Sequence, residues 1–140
     1  MPAAPSLTGI RVLVLEDDYY LATDTAEALE KAGATVVGPV SDPSRAAALA
    51  GSERLDCAVL DINLGEGPSF EAARAMYEHA IPFIFVTGYD DLDIPAEFGS
   101  ATRLQKPLTE SLLIRAVADV GIEKPAPAAL NTSRPAVTPS

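Results

Sequence analysis

The strongest constraint on this chain is a series of short, branched apolar runs, each followed at once by a reactive side chain. Ile10-Arg11-Val12-Leu13-Val14-Leu15 runs into Glu16-Asp17-Asp18, and Asp56-Cys57-Ala58-Val59-Leu60 runs into Asp61. Pro82-Phe83-Ile84-Phe85-Val86 leads to Thr87, and the weaker run Ala101-Thr102-Arg103-Leu104 is followed by Lys106-Pro107. A nearly continuous apolar run of this length suits a strand buried on both faces. Thr35-Val36-Val37-Gly38 reads as a further strand, closed by Pro39 and a turn.

Between the runs, apolar residues recur at helical spacing. Tyr20/Leu21, Thr25, Ala28/Leu29 and Ala32 outline one helix, with Asp18 as its N-cap and Gly33 as its stop. Tyr19 and Tyr20 at its start are read as straddling inside and outside. Asp42-Pro43 opens an Ala-rich helix that ends near Gly51, with Pro at its first helical position. A third helix follows the loop Gly65-Glu66-Gly67-Pro68 and carries Phe70, Ala73 and Tyr77. A last helix is capped by Thr109-Glu110-Ser111 and runs through Leu112, Leu113, Ala116 and Val120.

Strands alternating with helices imply right-handed βαβ units and a parallel sheet covered on both faces. The expected fold is therefore α/β, a doubly wound five-stranded parallel sheet. The interval Thr87–Ser100 breaks the rhythm, because Gly88, Asp90, Asp91, Asp93, Pro95 and Gly99 leave room only for a short or irregular fourth helix. The domain is expected over residues 9–122. Residues 1–8 are read as a flexible N-terminus and 123–140 as a disordered Pro/Ala-rich tail, too poor in large apolar residues to offset the entropy of ordering.

Composition narrows the function. Twenty acidic against ten basic residues give a formal charge of −10, which speaks against binding nucleic acid through phosphate neutralisation or docking on an anionic membrane. The single Cys57 cannot form an internal disulfide and sits in an apolar run, so it reads as a small buried hydrophobe. His79 reads as a solvated residue near a helix end. With neither a signal-like N-terminus nor a run of membrane-spanning length, the expected location is cytoplasmic.

In an open α/β sheet, functional groups collect beyond the carboxyl ends of the strands. A parallel sheet brings Glu16, Asp17, Asp61, Thr87 and Lys106 to one edge. Three crowded carboxylates repel unless a cation sits among them, and oxygen donors favour a hard ion such as Mg²⁺. Lys106 supplies a point charge for a phosphoryl oxygen and Thr87 a hydroxyl for a second. Asp61 is placed to be the nucleophile toward a phosphoryl donor.

Taken together, Glu16-Asp17-Asp18, Val59-Leu60-Asp61-Ile62-Asn63, Thr87-Gly88 and Lys106-Pro107 resemble a bacterial response-regulator receiver domain, the CheY-like version of the flavodoxin fold. The likeness spans residues 10 to about 120. It implies that Asp61 is the phosphoacceptor, with Thr87 and Lys106 gripping the phosphoryl group. It implies that Mg²⁺ is bound by the side chains of Asp17 and Asp61, by the backbone carbonyl of Asn63 and by Glu16 through water. The Lys106–Pro107 peptide is expected to be cis.

The stretch Pro82–Tyr89 is similar to the signature of the stand-alone "FAT GUY" receivers, with Val86 where Ala is usual. Arg103 occupies the position three residues before the lysine where receivers usually carry an aromatic side chain. The conformational change is therefore expected in the 87–100 segment instead.

The resemblance implies a single-domain response regulator of a two-component phosphorelay. Its phosphoryl donor would be a histidine kinase or a histidine phosphotransfer protein, and its output contact with a downstream protein. Self-phosphorylation and slow autodephosphorylation would be its only chemistry, so it is not expected to be an enzyme. Two alternatives are an interaction module that works without phosphorylation and a haloacid-dehalogenase-like phosphohydrolase. The second needs Asp-x-Asp-x-Thr/Val after the first strand, where this chain has Glu16-Asp17-Asp18-Tyr19-Tyr20. No G-x-G-x-x-G or P-loop follows that strand, which argues against a nucleotide-binding domain.

Overall fold

The computed structural model describes residues 5–62, 69–88 and 94–122. In chain order the elements are β1 (Arg11–Leu15), α1 (Tyr19–Lys31), β2 (Thr35–Val40), α2 (Pro43–Ser52) and β3 (Cys57–Asp61). They continue with α3 (Glu71–Glu78), β4 (Phe83–Thr87), a 3₁₀ turn (Ala96–Phe98), β5 (Thr102–Gln105) and α4 (Glu110–Ile122). All four strand pairings are parallel, in the order β2-β1-β3-β4-β5. This is the doubly wound order of the flavodoxin-like fold, in which the chain reverses direction across the sheet between β1 and β3.

Period-two alternation along each central strand divides the core in two. Val12, Val14, Cys57, Val59, Ile84 and Val86 face α1 and α4, meeting Leu29, Leu113 and Val117. Leu13, Leu15, Ala58, Leu60 and Phe85 face α2 and α3, meeting Ala46, Ala50, Ala73 and Met76. Phe85 and Ile84 thus lie on opposite faces, as their adjacency requires. The packed chain reaches further back than the expected start at residue 9. Leu7 is fully buried in the first core, and its N–H donates to the Ala32 carbonyl at 2.8 Å.

Capping follows the sequence closely. The Asp18 side chain accepts from the N–H groups of Tyr20 and Leu21, Asp42 accepts from Ser44, and the Thr109 hydroxyl accepts from Leu112. Three local readings are corrected. Pro39 does not close β2, because the strand continues to Val40 across a cis Gly38–Pro39 bond. A proline is tolerated there because β2 is an edge strand and loses no ladder donor. Tyr19 and Tyr20 do not straddle the surface; both are largely exposed, at 74% and 77%. Leu112 is also exposed, whereas its neighbour Leu113 is buried.

The short fourth helix is reduced, among the described residues, to the single 3₁₀ turn after Pro95. Phe98 from that turn packs into the second core. It is 3% exposed, stacks on Phe70 and meets Phe83, Phe85 and Tyr77 edge-on. Arg74 of α3 lies over its outer face, 5.7 Å from the ring centroid, and reaches Glu97 at 3.6 Å. This aromatic plug was not foreseen from the sequence. Tyr89 and the rest of 89–93, the loop 63–68 and the tail 123–140 lie outside the described residues.

Candidate functional site

Strand register assembles the site. Leu15 is level with Leu60, which brings Glu16 beside Asp61, the last residue of β3. Asp61 is level with Val86, so Thr87 projects one residue further along β4. Thr87 in turn pairs with Gln105, which sets Lys106 just beyond the sheet. The Lys106 N–H donates to the Thr87 carbonyl at 2.8 Å, and the Lys106–Pro107 bond is cis, as expected. Asp61 and Thr87, read from the sequence as residues just past their strands, are the terminal residues of those strands.

Five of the six expected residues lie in the described chain and converge at this edge. Asn63 lies outside it. Asp61 is 2% exposed, Thr87 1% and Glu16 8%, whereas Asp17 is open to solvent. The Lys106 ammonium bridges the two buried carboxylates, 3.1 Å from Asp61 Oδ2 and 3.1 Å from Glu16 Oε1. The other oxygen of Glu16, Oε2, accepts the Asp18 N–H at 3.0 Å. Glu16 is therefore tied to Lys106 and to the cap of α1, which orients it toward Asp61.

These contacts set the electrostatics. Burial pushes the Glu16 carboxyl above its ordinary value, and the Asp18 N–H pulls it back. The facing Asp61 raises it again and Lys106 opposes that, leaving a net upward shift. For Lys106, burial works to lower the value. The hydrogen bond and charge of Asp61, with those of Glu16, outweigh burial and hold the ammonium above its ordinary value.

One carboxylate oxygen from each of Glu16, Asp17 and Asp61 lies within 4.8 Å of the others. Three hard anionic oxygens so close together match the donor chemistry of a hard divalent cation, with no soft sulfur or imidazole among them. The residues present therefore fit Mg²⁺. Asp61 is among the residues lining a groove of about 690 Å³ between α1 and α4. Gly88 and Pro107 line this groove together with Leu21, Asp24 and Thr25 of α1. Sequence reasoning gave Leu21, Asp24 and Thr25 no place at the site. The only signal was the side-by-side helical spacing of Leu21, Thr25 and Ala28, which also fits an ordinary core face.

Residues 12–118 match the family described as "Response regulator receiver domain". Among curated proteins, the transcriptional regulatory protein PdtaR of Mycobacterium tuberculosis is 29% identical over 111 residues, covering 76% of this chain and 54% of PdtaR. The chain thus spans about half the length of the curated relatives it matches. The solution structure of SdrG from Sphingomonas melonis Fr1 is 34% identical with a TM-score of 0.68, covering 78% of this chain and 93% of SdrG. A response regulator receiver protein from Sinorhizobium medicae WSM419 is 27% identical with a TM-score of 0.69, covering 82% of this chain and 96% of that one. No helix among the described residues is long and apolar enough to cross a membrane.

Proposed function

Because this chain belongs to the response regulator receiver family, we propose that it takes a phosphoryl group on Asp61 and passes the signal on through protein contacts. One observation carries the reading: a nearly buried carboxylate, Asp61, lines a groove, shares an ammonium with Glu16 and stands with Glu16 and the exposed Asp17 in one acidic cluster. A purely structural ion pair has no need of a third, exposed carboxylate or of an opening to solvent.

The chemistry follows from the side chains. An Asp61 oxygen attacks phosphorus, the bond from phosphorus to the donor imidazole nitrogen breaks, and the nitrogen lone pair returns to the ring. The product is an acyl phosphate on Asp61. Lys106, now in contact with Asp61, would exchange that contact for one with a phosphoryl oxygen, and the Thr87 hydroxyl at the same sheet edge would meet another. Asp17 and Asp61 through their side chains, Asn63 through its backbone carbonyl and Glu16 through water would hold Mg²⁺. When bound, the ion neutralises charge on the carboxylates and the incoming phosphoryl group. Glu16 keeps Lys106 and Asp61 in register.

The phosphoryl donor in this reading is a histidine kinase or a histidine phosphotransfer protein, and the output is a change in the protein's own contacts. The likeness of 82–89 to the "FAT GUY" receivers, together with the exposed side chain of Arg103 in place of an aromatic, supports an output route through the turn that carries Phe98. The test is incubation with Mg²⁺ and a small phosphodonor such as phosphoramidate, followed by intact mass. The wild type gains one phosphoryl group, and Asp61→Asn and metal-chelated samples gain none. Wild-type protein that stays unmodified would leave the fold serving only as an interaction module.

A further inference from the structure

The turn that carries Phe98 is fastened to the domain by side chains. Its backbone bonds close on itself: Phe98 donates to Pro95 at 2.9 Å, and Gly99 to Ala96 and Ala101 to Phe98, each at 3.0 Å. The Phe98 ring anchors it in the second core, with Ile94 and Ala101 packed at its two ends. The receiving stripe is Phe70 at the cap of α3, with Arg74 and Tyr77 on the turns that follow. Arg74 closes the outer side. Its guanidinium covers the ring at 5.7 Å while its Nε reaches Glu97 Oε1 at 3.6 Å, and the two partners of that pair are 54% and 46% exposed.

The turn leads straight into β5, an edge strand of four residues with β4 as its one strand neighbour. Thr102 is level with Ile84 at its start and Gln105 with Thr87 at its end. The Lys106 N–H then donates to the Thr87 carbonyl at 2.8 Å, and the ammonium meets Asp61 and Glu16. Segments with few anchors and exposed backbone bonds open as units, at a lower cost than global unfolding. We propose that Arg74 locks such a unit shut: the 95–101 turn and β5 open together and take Lys106 out of register with Asp61. The cation over the ring and the ion pair to Glu97 form the clasp. Both lie at the surface, so salt weakens the lock through its ion pair. The consequence for phosphoryl capture rests on the acceptor role of Asp61; the lock itself does not.

Native-state amide exchange on the full, metal-free chain reads the unit directly, because opening populates only a minor state. In the wild type, the amides of Phe98, Gly99, Ala101 and Lys106 should share one opening free energy. They should exchange at least about tenfold faster than those of Val14 and Val59 in the central strands. Arg74→Met keeps the aliphatic stem, removes the cation and should speed all four by one common factor of about ten. Glu97→Gln removes the ion pair alone and should give about threefold. Salt at about 1 M should bring the wild type to the Glu97→Gln rate. Arg45→Met, at an exposed position on α2, should leave the four within about twofold.

The lock is overturned if Arg74→Met leaves the four amides unchanged, or if in the wild type they open only together with Val14 and Val59. It is also overturned if the three turn amides respond and Lys106 does not, since the clasp then stops short of the site. With Mg²⁺ and phosphoramidate, contact between Lys106 and a phosphoryl oxygen should hold the unit shut and slow the four amides by about fivefold. Protein that carries the phosphoryl mass without slowing overturns the link between lock and site. Protein that gains no phosphoryl mass removes the acceptor reading, while a shared response of the four amides to Arg74→Met upholds the lock.

Discussion

Phe98→Ala should be among the most costly single substitutions outside the central strands, although Phe98 belongs to a turn of only three residues. The ring is 3% exposed and touches four other aromatic rings at centroid distances of 5.8–6.5 Å. Truncating a buried phenylalanine costs about 3–5 kcal/mol from lost transfer energy and the cavity left behind. A short turn can settle partly into that cavity, so about 3 kcal/mol is expected. With a slope of about 1.5 kcal/mol/M, the urea midpoint should fall by about 2 M at unchanged slope. The melting temperature should fall by roughly 10 °C for a domain of this size. Phe98→Leu keeps most of the volume and should cost under about 1.5 kcal/mol. The plug reasoning fails if Phe98→Ala costs less than about 1 kcal/mol, or if the leucine variant is as damaged as the alanine one.

The site and its supports make further predictions. Lys106→Met removes the ammonium shared by Asp61 and Glu16 and should destabilise metal-free protein by about 3 kcal/mol in urea at neutral pH; a loss under about 1 kcal/mol would show that the bridge contributes little. Glu16 holds its proton more tightly folded than unfolded, so above 4.5 the unfolded chain is the more deprotonated of the two. That contribution to stability is fully present below 4.5 and is lost as pH rises through the raised folded value. Glu16→Gln should flatten this part of the profile in chelator-treated samples, and an unchanged slope would assign it to another group. Asp18→Ala removes the side chain that caps α1 at Tyr20 and Leu21; it should cost about 1 kcal/mol, measured by urea denaturation, and an effect near zero would mean solvent replaces the cap fully.

The sheet was legible because buried parallel strands need apolar side chains on both faces, and Val12–Leu15, Cys57–Leu60 and Phe83–Val86 meet that need without interruption. The site was legible for a related reason. In a parallel sheet every strand end of one polarity reaches the same edge, so Glu16, Asp61, Thr87 and Lys106 could be grouped before any distance was known. Long-range pairing left weaker traces. The docking of Phe98 on Phe70, Phe83, Phe85 and Tyr77 depends on tertiary placement of a turn that Pro95 only announces as irregular. The continuation of β2 through Pro39 depends on that strand lying at the edge, which local propensity does not encode. The straddling reading of Tyr19 and Tyr20 misled because Tyr20 shares the helical stripe of Leu21, Thr25 and Ala28, whereas both rings are exposed on the first turn of α1.

The central claim is that Asp61 itself becomes an acyl phosphate. After reaction with Mg²⁺ and phosphoramidate, borohydride reduces an acyl phosphate to the alcohol, turning the modified aspartate into homoserine that peptide mapping can locate. Homoserine at position 61, absent without the phosphodonor, is the result expected. An unaltered Asp61, or homoserine at Asp17 or Glu16's reduced counterpart instead, would contradict the account.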